Sequence, residues 1–232
     1  MKNSTQHRRW ILEIHRRVAG VVLALTIVLA PTVVAAGSAQ GQTYTYGVLH
    51  SFTNIPDGTY PLASLVIDAQ GNLYGTTPEG GAFGAGTLFR VDTTGEETVL
   101  YSFTGGADGG YPYASLVLDA QGKLYGTTSE GGAFGAGTVF TVDTTGEETV
   151  LYSFTGGADG GYPNFSPVIF DSVGNLYGTT ALGGAAYGVV FELSPVGGAW
   201  TETVLYRFTG GTDGEYPSGG LVMDSAGNLD GK

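Results

Sequence analysis

Short runs in which apolar residues alternate with polar ones recur along most of the chain, and glycine-rich segments separate them. Four such runs lie within about fifty residues: Ala114–Asp119, Lys123–Thr128, Thr138–Val142 and Glu148–Phe154. They are rich in Val, Leu, Tyr, Phe and Thr, the residue types that favour strands. No segment after residue 40 shows helical periodicity over two turns. The pattern therefore predicts an all-β chain.

The four-strand pattern recurs with a period of about 51 residues. Residues 91–112 are repeated without change at 142–163. A phenylalanine marks the end of each pattern, at Phe52, Phe103, Phe154 and Phe208. Four short strands in about fifty residues is the size of a β-propeller blade. We therefore predict a β-propeller-like tandem repeat, with a β-solenoid as the alternative fold.

The period divides residues 40–232 into five segments. A partial unit at 43–52 is followed by three full units at 53–103, 104–154 and 155–208, and by a partial unit at 209–232. The first segment is expected to supply one strand and the last segment two. Either they close a small ring together, or the chain is part of an incomplete, larger propeller. Residues 228–232 depart from the Asn-Leu-Tyr-Gly-Thr-Thr pattern of the earlier units, which favours a truncated chain.

The first 39 residues have the order of a secretory signal peptide. Basic residues within 1–17 precede an apolar run at 18–36 and the small residues Gly37, Ser38 and Ala39. This arrangement predicts a signal peptide at 1–39 with cleavage after Ala39, or after Ala36. The alternative is an uncleaved membrane anchor, since the apolar run is nearly long enough to span a bilayer. We expect a secreted protein, in the medium or at the cell surface, that does not insert into the membrane after cleavage.

Charge and composition exclude several classes of function. The formal net charge is −12, and loss of the basic leader leaves four Lys and Arg against twenty Asp and Glu. Such a chain repels nucleic acid phosphates, which excludes nucleic-acid binding. The absence of Cys excludes disulfide scaffolds, thiolate metal sites and cysteine nucleophiles. His50 is the only histidine after the leader, so histidine catalysis has almost no candidates.

Candidate ligand-binding residues lie in the loops after the second and fourth strands of each unit. Because successive strands run in opposite directions, these loops emerge on one face. The candidates are Asp57, Asp108, Asp159, Asp213, Tyr60, Tyr111, Tyr162, Tyr216, Glu79, Glu130, Phe83, Phe134 and Tyr187. Carboxylates beside aromatic rings suit a sugar, and carboxylates alone could coordinate Ca²⁺.

A structural interpretation competes for each of these positions and is the one the repetition favours. Asp108 lies in the run Gly-Gly-Ala-Asp-Gly-Gly and suits a cap for its own turn. Tyr111, before Pro112, suits packing between blades, and Phe134 suits covering the neighbouring sheet. Asp119 and Gly122 are typical of a hairpin turn.

Catalysis is the minority interpretation. Glu79 and Glu130 are the only glutamates repeated in the long loop, and Leu182 lies in the corresponding region of the third unit. An acid and base pair needs unequal environments, whereas near-identical units supply equal ones. The sequence has no Gly-x-Ser-x-Gly elbow. We therefore predict no catalytic residues.

Several motifs together resemble a known repeat family. They are Leu-Tyr-Ser-Phe-Thr-Gly-Gly, Asp-Gly-x-Tyr-Pro, Asp-x-x-Gly-Asn-Leu-Tyr-Gly-Thr-Thr and Gly-Gly-x-x-Gly-x-Gly-Thr-Val-Phe, spread over residues 44–230. This combination resembles the GloVer tandem repeat of exported bacterial proteins. The resemblance implies an exported, often surface-associated protein and brings no enzymatic activity with it. Members often carry a C-terminal anchoring segment, and its absence from this sequence again favours a truncated chain.

These observations lead to one expectation about function and two alternatives. We expect a secreted β-repeat protein that acts as a binding or structural module, without catalysis. Its partner would be an extracellular glycan or protein, it would need no cofactor, and Ca²⁺ is a candidate ligand. The alternatives are a carbohydrate-active propeller enzyme that uses loop carboxylates and a purely architectural surface spacer.

Overall fold

Each full repeat folds into its own antiparallel sheet of four strands, which pair in chain order. The structure is a computed structural model that describes residues 45–231. The predicted signal peptide at 1–39 lies outside the described residues.

Residues 45–231 form fourteen strands, which fall into three complete units and one hairpin. The first unit contains β1 (Val66–Ile67), β2 (Leu73–Thr77), β3 (Thr87–Val91) and β4 (Glu97–Ser102). The second contains β5 (Val117–Leu118), β6 (Leu124–Thr128), β7 (Thr138–Val142) and β8 (Glu148–Ser153). The third contains β9 (Ile169–Phe170), β10 (Leu176–Thr180), β11 (Val189–Val196) and β12 (Ala199–Arg207), and the hairpin is β13 (Val222–Met223) and β14 (Leu229–Asp230).

The pairing confirms the predicted all-β, propeller-like repeat of four-stranded units. Every pairing between these strands joins strands of the same unit. A β-solenoid would instead pair equivalent strands of successive coils, so that alternative is wrong. A bulge interrupts the pairing of the third and fourth strands at the same place in each unit, at Leu88/Phe89, Val139/Phe140 and Val190/Phe191.

The expectations for the chain ends differ from the structure. Residues 45–52, the described part of the predicted strand at 43–52, form no strand. The equivalent strands β4, β8 and β12 each pair with the third strand of their own unit, and residues 45–52 have no such strand beside them in the described part of the chain. Strands β13 and β14 pair only with each other, so the described strands do not join into the small closed ring that is one of the two expectations.

The first strand of each unit is also shorter than predicted. The pattern predicts a strand at residues 114–119, but β5 contains only Val117 and Leu118. Ala114 and Leu116 are buried beneath the preceding unit instead, and the hydroxyl of Thr76 donates to the carbonyl of Ala114. Packing between units therefore replaces strand pairing at this point.

The hydrophobic core lies between consecutive sheets. A phenylalanine that follows the fourth strand of one unit packs against a phenylalanine in the third strand of the next. The ring centroids are 5.0 Å apart for Phe103 and Phe140 and 5.1 Å apart for Phe154 and Phe191. All four rings are completely buried. The units therefore stack by nearest-neighbour contacts, as in other repeat proteins.

The described chain contains no helix of the length and apolar character required to cross a membrane.

Candidate functional site

The four candidate aspartates are caps of the loops in which they lie. The hydroxyl of Tyr101 donates to the Asp108 carboxylate at 3.0 Å, and the Thr104 backbone N–H donates to it at 2.8 Å. The Thr104 hydroxyl is a third donor. The same bonds recur in the later loops at Asp159 and Asp213. We refer to these arrangements as the loop clasps.

The loop clasps at Asp159 and Asp213 stabilise the ionised form of their carboxylates. Burial would raise the pKa of Asp159, but hydrogen bonds from Thr155 and Tyr152 outweigh that effect and lower it. The hydroxyl of Thr209 is the main cause that lowers the pKa of Asp213 to about 2. Much of the hydrogen-bonding capacity of these carboxylates is already used within the fold. This arrangement favours the structural interpretation over the ligand interpretation.

The candidate tyrosines connect neighbouring units through their backbones. Tyr60, Tyr111, Tyr162 and Tyr216 all have positive φ angles, from 53° to 57°. The N–H of Tyr111 donates to the carbonyl of Ala85 in the first unit, and the Tyr111 carbonyl accepts from the N–H of Ser129 in the second. A left-handed conformation is uncommon for a tyrosine, and these bonds on both sides hold it in place.

Glu79 and Glu130 take part in the same connections only through their backbones. The N–H of Thr59 donates to the Glu79 carbonyl at 2.9 Å, and the N–H of Gly110 donates to the Glu130 carbonyl at 2.9 Å. The side chains of both glutamates are exposed. These bonds confirm that the loops after the second and fourth strands share one face, which we call the loop face.

Two candidate phenylalanines project from the loop face. Phe83 and Phe134 occupy equivalent loops and are 63% and 64% exposed. Their expected role of covering a neighbouring sheet is therefore not seen. Tyr187, in the third unit, is partly buried, with its ring centroid 6.2 Å from that of Tyr216.

A crevice on the loop face brings three of the candidates together. Glu79, Phe83 and Tyr111 line it with Asn54 and Ile55, and its volume is about 540 Å³. It combines a carboxylate, aromatic rings and an amide, which are groups that can contact a polyhydroxylated ligand. We call it the loop-face crevice.

The opposite face, formed by the turns after the first and third strands, carries crevices that the sequence did not predict. One of about 530 Å³ lies between the first two units, where Tyr74, Arg90, Leu118 and Asp143 are among the residues that line it. We call it the turn-face crevice. Another, of about 560 Å³, lies between the third unit and the final hairpin. The sequence signal that could have indicated the turn-face crevice is a difference between equivalent positions of two units: the first unit has Arg90 where the second has Thr141.

Three glutamates that the sequence analysis did not select lie in the fourth strands of the units. Glu97 and Glu148 are the first residues of β4 and β8, and Glu202 lies within β12. One carboxylate oxygen of each of Glu97, Glu148 and Glu202 is buried without a hydrogen-bond partner in the described part of the chain. Burial raises the pKa of Glu148 and of Glu202 from 4.5 to about 7, and the charges of Asp108 and Asp159 add to this effect. Each of these glutamates begins a Glu-Thr-Val motif whose valine is partly buried. Because alternate residues of a strand lie on the same face, the sequence could have indicated that the glutamate is buried as well.

These glutamates lie apart from the three crevices described above. Each contributes a carboxylate of raised pKa beside an aspartate, and an unequal pair is what acid and base catalysis requires. However, the arrangement recurs at successive unit junctions, and none of the three crevices described above is lined by Glu97, Glu148 or Glu202. Their environment is that of an interface between units.

The described residues do not support the calcium site considered from the sequence. Among residues 45–231, no three His, Asp or Glu side chains come together in a way that could hold a metal ion. Calcium requires six to eight oxygen ligands, whereas each loop clasp contains a single carboxylate. The loop clasps therefore do not fit the ion.

Three solved structures share part of this fold. One is a structural-genomics target provisionally described as a gluconolactonase, with a TM-score of 0.45, 18% identity and coverage of 71% of this chain and 55% of that chain. Dipeptidyl peptidase 4 of Porphyromonas gingivalis has a TM-score of 0.40, 15% identity and coverage of 71% and 22%. A protein of unknown function from Dyadobacter fermentans has a TM-score of 0.40, 11% identity and coverage of 72% and 59%. The chain thus spans less than two thirds of the length of each.

No curated protein matches the chain. The profile of the Gloeobacter/Verrucomicrobia repeat matches residues 32–185, which is more than half of the 232 residues. This match confirms the resemblance recognised in the repeated motifs. The chain is a member of the Gloeobacter/Verrucomicrobia repeat family.

Proposed function

We propose that this chain is an exported, non-catalytic module that binds an extracellular glycan on its loop face. The observation that carries the proposal is the loop-face crevice, where Glu79 and Phe83 of one unit meet Tyr111 from the connection to the next. An aromatic ring can stack on the apolar face of a sugar, while a carboxylate accepts hydrogen bonds from its hydroxyls. A glycan fits this combination of groups.

Repetition supports a ligand that is itself repetitive. Phe134 occupies in the second unit the position that Phe83 has in the first, with almost the same exposure. An exposed phenylalanine has a hydrophobic cost unless it contacts a partner. Two such rings in equivalent loops suit successive sugars of one polysaccharide.

The remaining polar groups of the loops support a role without catalysis. The aspartates of the loop clasps are engaged by tyrosine or histidine and by threonine donors within the fold. Chemistry on a bound sugar would require a carboxylic acid that protonates the leaving oxygen and a second carboxylate beside it. In the loop-face crevice Glu79 is the only acidic side chain.

The binding proposal is tested with the full chain and soluble polysaccharides of known composition, such as chitin fragments, xylan and pectin. Phe83→Ala should weaken binding about tenfold, because loss of a stacked ring costs on the order of 1 kcal/mol. Val173→Ala is the control, since Val173 is 78% exposed in a turn of the opposite face. If no polysaccharide binds a folded protein, or if Phe83→Ala and Phe134→Ala bind as the parent does, the glycan role is wrong and the spacer role is favoured.

Export is tested separately. The chain is expressed with its first 39 residues, and the mass and N-terminal sequence of the product outside the cytoplasm are measured. We expect a product that begins at Gln40, or at Gly37 for the alternative cleavage site. A product that keeps its leader in the membrane would favour the anchor over the signal peptide.

A further inference from the structure

The turn-face crevice contains the only arginine that the first two complete units carry. Arg90 lies on β3 opposite Tyr74 on β2. Its Nε is buried and has no hydrogen-bond partner in the described part of the chain, and no acidic side chain there forms an ion pair with it. A buried donor left without a partner costs about 1–3 kcal/mol. Arg90 as a whole is only partly buried and lines the crevice, so a ligand there would meet the outer part of the guanidinium and not this Nε.

The equivalent positions in the other units contain different side chains with partners of their own. Thr141, in the second unit, donates its hydroxyl to the carbonyl of Leu124 at 3.0 Å. Glu192, in the third unit, accepts a hydrogen bond from Ser194. The unpartnered guanidinium is therefore a feature of the contact between the first and second units, which we call the first junction, and it does not recur in the other units. The contact between the second and third units is the second junction.

The first junction also differs from the second in the volume of one side chain. At the second junction the ring of Phe170 packs edge to face against Tyr125, with centroids 4.9 Å apart. The residue equivalent to Phe170 at the first junction is Leu118, which lines the crevice opposite Tyr74. The smaller leucine leaves room where the phenylalanine ring fills the space.

The crevice offers hydrogen-bond acceptors beside the Arg90 donor. The Oδ1 of Asp143 accepts from Thr145 and from the N–H of Glu147 within its own turn, while its Oδ2 has no such partner in the described residues. Asp68, by contrast, has both oxygens occupied by donors of its own turn and of Tyr74. The partly buried Leu100 adds apolar surface.

The charges of the crevice decide between classes of ligand. Asp68, Asp119 and Asp143 line it together with Arg90, and Lys123 is close enough to help lower the pKa of Asp143, so three acidic side chains face two basic ones. This balance disfavours a carboxylate or phosphate ligand. A hydroxyl group both donates and accepts, so it can satisfy Arg90 and Asp143 without adding charge.

We propose that the turn-face crevice is a second binding site, specific to the first junction, for a neutral sugar residue. The Arg90 guanidinium donates to its hydroxyls, the free oxygen of Asp143 accepts from them, and Leu118 contacts its apolar face. The site is separate from the loop-face crevice and does not depend on the function proposed for it.

The test measures binding of glucose, galactose, N-acetylglucosamine and cellobiose to the full chain by saturation-transfer NMR and calorimetry, with glucuronate as the anionic comparison. We expect at least one neutral sugar to bind saturably and more tightly than glucuronate. Arg90→Thr introduces the residue of the second unit, and Leu118→Phe introduces the residue of the third. Each variant should lower the affinity about tenfold or more, as expected for loss of a charged hydrogen bond or of the binding space.

Two controls separate this site from the loop-face crevice and from a general effect of charge. Arg207→Thr removes the same charge from the third unit and should leave sugar affinity unchanged, and Phe83→Ala identifies any part of the binding that belongs to the loop-face crevice. The proposal is overturned if no neutral sugar binds at millimolar concentration, if glucuronate binds more tightly, or if Arg90→Thr and Leu118→Phe both bind as the parent does. A sugar whose binding is lost only in Phe83→Ala would overturn it in favour of the loop-face crevice.

Discussion

His50 Nε2 lies 3.0 Å from Asp57 Oδ2, in the position where Tyr101 donates its hydroxyl to Asp108 in the next repeat. The first loop clasp is thus built with an imidazole and the later ones with a phenol. Asp57 is 6% exposed, and hydrogen bonds from His50 and Thr53 lower its pKa although burial acts in the opposite direction. A different donor therefore stabilises the same kind of ionised carboxylate.

Substitution of His50 by tyrosine or phenylalanine isolates the contribution of this bond. His50→Tyr should restore the donor of the other clasps, whereas His50→Phe keeps a ring beside Phe52 and removes the donor. We expect His50→Phe to be less stable than His50→Tyr by about 1–3 kcal/mol, because a hydrogen bond to a buried carboxylate is lost. Urea unfolding of both variants measures the difference, and equal midpoints would contradict the stabilising role of the clasp.

The raised pKa of Glu148 predicts that the protein becomes less stable as the pH rises towards neutrality. The native protein holds the proton of Glu148 up to about pH 7, whereas the unfolded chain releases it near 4.5. Stability should therefore be highest on the acid side of this window, decrease between about pH 4.5 and 7, and stay level above it. The lowered pKa of Asp159 acts at still lower pH, where protonation of the aspartate reduces stability.

The melting temperature of Glu148→Gln as a function of pH tests this assignment. Glutamine keeps the shape without the titration, so part of the fall should disappear, with the rest due to Glu202 and Glu97, whose pKa values burial also raises. The control is Glu147→Gln, since the Glu147 side chain is exposed. A pH profile that Glu148→Gln leaves unchanged would exclude this carboxyl as the cause.

Two glycines of one loop provide a matched test of close backbone packing. Gly137 has a φ of 91°, and a Cβ there would lie 2.3 Å from the carbonyl oxygen of Thr128. Gly135 has a φ of 78° but no neighbouring atom within 4 Å of such a Cβ. Alanine at either position has to adopt the strained left-handed conformation, at a cost of about 1–2 kcal/mol. Only Gly137→Ala adds a clash with the backbone.

We expect Gly137→Ala to lose clearly more stability than Gly135→Ala in thermal unfolding. Far-ultraviolet circular dichroism shows whether the sheets persist in each variant. Equal losses would mean that conformational strain alone accounts for both effects and that the loop can move away from Thr128.

The phenylalanine pairs between units predict where the core is most sensitive. Phe103 is completely buried against Phe140, while Phe83 is 63% exposed. Phe103→Ala should destabilise the protein by about 3–5 kcal/mol through lost packing and a cavity. Phe83→Ala should change stability by only about 0.5 kcal/mol. Chemical denaturation of both variants checks this, and similar losses would show that the junctions are not the main source of stability.

Several features of the fold could be predicted from the sequence because they are local. The 51-residue period and the glycine turns predicted four strands per unit, and β7 matches the prediction from Thr138 to Val142. The structural role of Asp108 could also be predicted, since an aspartate in a glycine-rich turn finds donors nearby in the chain, here Thr104 and Tyr101, four and seven residues away.

Other features depend on contacts between units, which no local pattern contains. The burial that raises the pKa of Glu148 and the space beside Arg90 both arise where one sheet packs against the next. The segment at 45–52 has the composition of a strand, yet no third strand lies beside it within residues 45–231. The sequence by itself determined the repeat, the turns and the capping aspartates, because neighbours in the chain supply their hydrogen bonds. Only the tertiary structure decided which side chains are buried, and which crevices stay open, because those depend on residues of neighbouring units that are far apart in the chain, such as Phe103 and Phe140.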